Sequence, residues 1–254
     1  MKLARIMSNW PAPGWIVHDV APEFGLRVVR EMPPLAAALD RAVDDLWTAA
    51  LRRTGGALFN GRVFSADAVA PDLAVGHWTE FRRIVAQMDR PDLFDDLRLR
   101  PVAVNGITTG PDGVVLGRRP DRAVYQAGLW QCPPAGSVDA GAARGNGAVD
   151  IPRQVLTELR EELGIAASDA RIGRSLALVE HGDSHVLDLG IVVETALSAV
   201  EIRRLHAGAK DKEYASVRIV PPAALSGFVR ENGAALVPQA LVFLARMGWL
   251  PEGH

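Results

Sequence analysis

Glu158-Leu159-Arg160-Glu161-Glu162-Leu163-Gly164-Ile165 ends a stretch that reads as one short helix and its stop. Asp150 stands where an N-cap belongs, Pro152 lies in the first turn, and Gly164 follows the last turn. Ile151, Val155, Leu159 and Leu163 recur every four residues and form an apolar stripe for a core. Beside that stripe, spacings of three and four residues gather Glu158, Glu161 and Glu162 on one patch of helix surface. Like charges so placed repel by roughly a few tenths of a kcal/mol per pair on an exposed helix. A divalent cation removes that cost. Mg²⁺ takes hard oxygen ligands, few of them protein carboxylates, and leaves its other positions to water and substrate phosphate. Taken alone, with Arg160 among them, the same residues also describe a solvated helix face of mixed charge.

The surroundings decide between these two readings. The octet fits, without a gap, the pattern E-U-x-E-E-x-G-U, where U is a bulky apolar residue; this pattern closes the Nudix box. Upstream, Leu129-Trp130-Gln131-Cys132-Pro133-Pro134-Ala135-Gly136 resembles the strand and turn that precede the box and usually read W-x-x-P-G-G. The chain therefore resembles the Nudix hydrolase superfamily. It departs from the pattern at specific places: Thr157 stands for the box arginine, Ala142 for the first box glutamate, and Ala135 for the first glycine of the pair. The loop between Gly136 and the helix is seven residues longer than the pattern allows. These departures resemble the UDP-sugar pyrophosphohydrolase branch, which has an enlarged box loop and lacks the box arginine. That branch also carries an N-terminal L-F-N-G/A-x-x-F stretch and then G-x-T-x-Y-R. The counterparts here are Leu58-Phe59-Asn60-Gly61-Arg62-Val63-Phe64 and, more loosely, Gly76-His77-Trp78-Thr79-Glu80-Phe81-Arg82.

The resemblance implies an α/β/α sandwich with a mixed sheet, the box helix on one face and the closing helix on the other, preceded by a smaller N-terminal α/β region. It implies a pyrophosphohydrolase that uses Mg²⁺, with Mn²⁺ as a substitute, on a small-molecule nucleotide. A UDP-sugar such as UDP-glucose, cleaved to UMP and sugar 1-phosphate, is the first substrate to try. Glu158, Glu161 and Glu162 would be the metal ligands, with the Ala135 carbonyl adding another; Glu161 or Glu162 would stand closest to the attacking water. Glu213, just before a strand, is a candidate base or extra ligand. Arg118 and Arg119 close a hairpin strand where family members reach substrate phosphate, and arginine suits bidentate phosphate contacts. Phe59, Asn60 and Tyr125, with Phe64 and Trp78, are candidates for stacking or hydrogen bonding to a base, although aromatics more often belong to the core. Two other readings stand beside this one: a Nudix hydrolase of another nucleotide, and a Nudix-fold binding module that has lost catalysis. Ala142 and Thr157 favour the last. The retention of three mutually repelling glutamates opposes it.

Working outward, 97–254 reads as the main domain and 1–96 as the smaller region, with the boundary in Arg90–Asp96. Residues 15–22 and 25–31 read as two strands joined by a turn, 33–53 as a helix with a Leu35, Leu39, Val43, Leu46, Leu51 stripe, 58–70 as a strand, and 78–88 as a helix. After the hairpin at 100–119 come strands at 174–182 and 185–197, a short helix at 200–206, a strand at 214–221 and a closing helix over 234–250. Glu180, His181, Asp183 and His185 form a polar cluster that reads equally as substrate contact or as a surface turn.

The bulk composition excludes several classes. A net charge of −2 gives no case for a nucleic-acid or membrane surface. One cysteine, Cys132, allows neither an intrachain disulfide nor a Cys-based zinc cluster. No apolar run reaches the roughly 18 residues that span a bilayer, and MKLARIMSNWPAPGW lacks the apolar core of a secretion signal. A cytoplasmic protein, monomer or homodimer, is expected.

Overall fold

The computed structural model describes residues 14–121, 123, 126–209 and 213–251. Strands β1 (Ile16–His18) and β2 (Gly25–Val28) come first, then helix α1 (Ala37–Arg53), β3 (Arg62–Val69), β4 (Leu73–Glu80), α2 (Phe81–Asp89) and the short α3 (Phe94–Leu97). The hairpin of β5 (Val102–Gly110) and β6 (Gly113–Arg118) is followed by the short strands β7 (Trp130–Gln131) and β8 (Ala135–Ser137). Helix α4 (Ile151–Leu163) leads to β9 (Ala170–Glu180) and β10 (Leu187–Thr195), then α5 (Ala199–Gly208), β11 (Ser216–Val220), α6 (Pro222–Asn232) and α7 (Pro238–Arg246).

The larger sheet runs β1-β9-β10-β5-β6-β11, with β7 added on β6 and β8 on β5. β10 lies parallel to β5, with Leu189 opposite Val104, while β9 and β10 are antiparallel, so the sheet is mixed. Alternation along the strands splits the apolar residues between its two faces. On one face Val104, Val115 and Leu189 pack with Val155, Leu159 and Leu163 of α4. On the other, Ile107, Leu116 and Val179 pack with Leu241, Phe243 and Leu244 of α7. The result is the expected α/β/α sandwich. Leu159 is fully buried, and removing such a side chain from water contributes roughly 1.5–3 kcal/mol. The box helix is therefore fixed by its apolar side, and its glutamates are placed by that packing.

The smaller sheet has the order β2-β4-β3. Val43 of α1 packs there with Val63, Ile84 and Leu99, and Leu35, Leu39 and Leu46 lie against them as the stripe predicts. Residues on either side of position 96 meet through the bridges Val63 to Asp139, Ser65 to Pro101 and Arg27 to Ala148. Strand β1 joins the larger sheet by pairing with β9.

Some expected elements change. The first two strands do not pair with each other; β2 lies parallel to β4. Trp78, Thr79 and Glu80, expected in a helix, finish β4, because Trp78 sits opposite Phe64 on β3 with the rings edge to face at 5.7 Å. The expected closing helix is shorter, beginning at Pro238, and α6 precedes it. Helix α6 contains Ser226 and Gly227 and forms by burying Leu225, Phe228 and Val229, a case of packing overriding weak propensity. Among the described residues no helix is long and apolar enough to cross a membrane.

Candidate active site

Helix α4 begins and ends as its sequence dictates. The Asp150 side chain accepts the Arg153 N–H at 3.2 Å, and Gly164 takes φ +71°, the left-handed conformation that stops a helix. With the apolar stripe on the sheet, Glu161 is exposed, Glu158 half-buried and Glu162 only 1% exposed. The last two meet strand β8. The Ala135 N–H donates to both carboxylate oxygens of Glu162, at 3.2 and 3.1 Å. Next along the chain, a Cβ at Gly136 would fall 2.3 Å from the carboxyl carbon of Glu158. Only glycine lets the backbone run so close to that carboxylate.

Neutral donors hold Glu158 and Glu162. Gln154, one turn before Glu158, donates from Nε2 to Glu158 Oε1 at 2.7 Å, while its own Oε1 accepts the Asp139 N–H at 3.2 Å. Gln131 donates from Nε2 to the Tyr214 hydroxyl at 2.6 Å, and the charge of Glu162 acts on that buried phenol. Gln131, Gln154 and Tyr214 are all buried. Among the described residues neither Glu158, Glu161, Glu162 nor Glu213 makes an ion pair with lysine or arginine.

The electrostatics follow from that arrangement. Burial above all, and then the charges of Glu161, Glu213 and Asp139, push Glu158 up to about 7 against the hydrogen bond from Gln154. Burial, then Glu213 and Glu158, hold Glu162 well above the usual carboxylate range. Among the described residues no three His, Cys, Asp or Glu side chains form a ready-made metal cage. The donor set nevertheless fits a hard divalent cation. The charges of Glu158, Glu161, Glu162 and Glu213 act on one another and, among the described residues, pair with no lysine or arginine, beside a turn whose glycine leaves the backbone close to Glu158.

The structure brings Glu213 to this cluster: it is exposed, precedes Tyr214, and its charge acts on both Glu158 and Glu162. Arg118 donates to the Gly128 carbonyl at 3.1 Å and to Asp121 at 2.9 Å. Arg119 reaches Gln131 Oε1 at 3.4 Å and so joins the Gln131–Tyr214 pair. Phe59, 84% exposed, lines a groove of about 450 Å³ with Arg62, Phe81, Ser137 and Asp139. Its neighbour Asn60 is used differently: its side-chain oxygen accepts the Arg82 N–H at 2.9 Å, near the start of α2. Tyr125 lies outside the described residues. Phe64 is fully buried in the core shared with α4. The Glu180 cluster closes on itself: Glu180 accepts from Arg100 at 2.8 Å and contacts His18 and His185, and His181 pairs with Asp188 at 2.5 Å. Gln131, Gln154 and Tyr214 were not among the expected site residues. Gln154 alone had a sequence signal, since it shares a helix face with Glu158.

No family model matches the chain, and no curated protein does. Solved structures with a similar backbone include a MutT protein from Methanosarcina mazei, at 18% identity over 58% of this chain and 92% of that one, with a TM-score of 0.40. The Nudix hydrolase RenU from M. smegmatis matches at 19% identity over 59% of this chain and 84% of that one, with a TM-score of 0.38. A Nudix hydrolase from Nitrosomonas europaea matches at 13% identity over 58% of this chain and 88% of that one, with a TM-score of 0.43. These are likenesses of fold alone.

Proposed function

We propose that this chain is a Nudix-type pyrophosphohydrolase, dependent on Mg²⁺ or Mn²⁺, that cleaves a UDP-sugar such as UDP-glucose to UMP and sugar 1-phosphate. The observation that carries the reading is the meeting of Glu158 and Glu162 with the Ala135–Gly136 backbone, with the charges of Glu161 and Glu213 acting on them and, among the described residues, no lysine or arginine paired to any of the four. Buried carboxylates in that state are costly unless something binds there.

Glu158, Glu161 and Glu162 would hold the cation, which when bound supplies charge stabilisation at the pyrophosphate oxygens and a more acidic attacking water. The remaining work falls to the chain itself. Glu213, exposed, would accept a proton from water. Arg118 stands half-exposed at the end of β6 and offers a guanidinium to phosphate. Phe59 is 84% exposed at a groove also lined by Ser137 and Asp139, which follow Gly136 in the chain, and an exposed ring suits stacking on a base. The test is direct. Incubation with UDP-glucose and Mg²⁺ should release UMP, and chelation should stop it. Absence of divalent-dependent turnover across nucleotide sugars, dinucleotides and modified nucleotides would overturn the enzyme reading and leave the non-catalytic binding module.

A further inference from the structure

Thr157, where the box pattern has arginine, spends its hydroxyl on the Arg153 carbonyl one turn back, at 2.9 Å, and is exposed. Among the described residues it makes no hydrogen bond to the glutamates' carboxylates. Yet the carboxylates of Glu158 and Glu162 are aimed. Each has a buried side chain beside it: Gln154 donates to Glu158, and Tyr214 stands within reach of the charge of Glu162. Each holder is itself fixed from behind. The Asp139 amide sets the Gln154 side chain by donating to its oxygen, which leaves the NH₂ facing Glu158. Gln131 donates to the Tyr214 oxygen at 2.6 Å, which leaves the phenol its own proton to donate. Gly117 completes the arrangement. A Cβ there would lie 2.5 Å from the Tyr214 ring, so the phenol is pressed flat onto β6.

We propose that Gln154 and Tyr214 are the positioning residues of this site, orienting Glu158 and Glu162 with neutral donors in place of an arginine. The inference rests on the metal-dependent reading above. Its physical content is a difference in charge. An arginine would orient a carboxylate and neutralise it together, whereas an amide and a phenol orient it and leave its negative charge for a cation. The two holders act on different glutamates and come from different elements, one from α4 and the other from the start of the β11 segment. Losing either should therefore weaken the site without emptying it.

The test is Mn²⁺ titration of the purified full chain, followed by the electron-spin signal of the free ion, for the wild type, Tyr214→Phe, Gln154→Met and Glu162→Gln. Phenylalanine keeps the buried ring, and methionine keeps the length and volume of glutamine, so both variants keep the core; melting temperatures check this. Each should bind Mn²⁺ at least about ten-fold more weakly than the wild type, in the range expected for partners behind metal ligands. The Mg²⁺ concentration for half-maximal turnover should rise in step, while KM for the nucleotide at saturating Mg²⁺ stays within about two-fold. Mn²⁺ affinity within two-fold of the wild type in both folded variants would overturn the assignment. A wild type that binds Mn²⁺ no better than Glu162→Gln would instead overturn the metal-site reading itself, so the two failures are distinct.

Discussion

The carboxylate of Glu158 occupies the space where a side chain on Gly136 would stand, a Cβ there falling 2.3 Å from its carboxyl carbon. The contact ties the box helix to the strand before the long loop, and it predicts a separation of activity from stability. In Gly136→Ala the obstacle is the far end of a flexible side chain, not backbone, so Glu158 can swing aside. The melting temperature should change little while divalent-dependent turnover falls at least about ten-fold, since misplacement by about an ångström is costly in catalysis. Turnover close to wild type would show that Glu158 works from another position.

Glu161 and Glu162 lie one after the other yet differ in environment: one is exposed, the other 1% exposed. Glu161→Gln and Glu162→Gln should each lower turnover by at least about ten-fold with the fold intact by circular dichroism. Wild-type rates in both would place the metal site elsewhere. In the absence of metal, Glu162→Gln should melt no lower than the wild type, because it removes a buried charge that has like-charged neighbours in Glu158 and Glu213.

A pH dependence follows from Glu158. Its folded-state pKa is raised from 4.5 to about 7, chiefly by burial, so the folded chain binds that proton more tightly than the unfolded one. The associated stability is complete below 4.5 and is lost as pH rises through about 7, on the order of a few kcal/mol at most. Groups such as Glu180 and Asp67, held low by arginine partners, act in the opposite sense and cancel when wild type is compared with Glu158→Gln. Metal-free wild type should therefore lose melting temperature relative to the variant between pH 4.5 and 7.5, and Mg²⁺ should restore it at the upper end. Parallel curves for the two proteins would show that Glu158 titrates normally.

What could be read before the structure depended on how local the signals are. Asp150, Pro152, the four-residue stripe and Gly164 all lie within one segment and agree, and α4 runs Ile151–Leu163 accordingly. The hairpin of β5 and β6 is legible for the same reason, its Gly-Pro-Asp-Gly turn sitting between two apolar runs. Strand β4 is not, because His77 and Gly76 break any simple alternation and its place is set by partners on β2 and β3. At the site, the glutamates follow from spacing, but what holds them does not. Tyr214 is far along the chain from Glu162, and Gln154 acquires a fixed orientation only through the Asp139 amide. Phe59 and Asn60 are neighbours with separate fates, one open to solvent and the other hydrogen-bonded to Arg82; residue type alone cannot divide them.

Phe59 supplies the last test, of recognition and not of chemistry. A phenylalanine left 84% exposed beside Arg62 at a groove contributes little to folding, and Phe59→Ala should change stability by under about 0.5 kcal/mol. If the groove takes the base of the nucleotide, the loss of an aromatic platform costs about 1–3 kcal/mol of binding. KM for UDP-glucose should then rise about ten-fold or more, with kcat at saturating substrate nearly unchanged, because stacking on the base is felt equally in ground and transition states. Phe59→Trp should retain or improve the wild-type KM. Steady-state kinetics on the three proteins decide the matter. An unchanged KM in Phe59→Ala would remove this groove from substrate binding while leaving the glutamate site untouched.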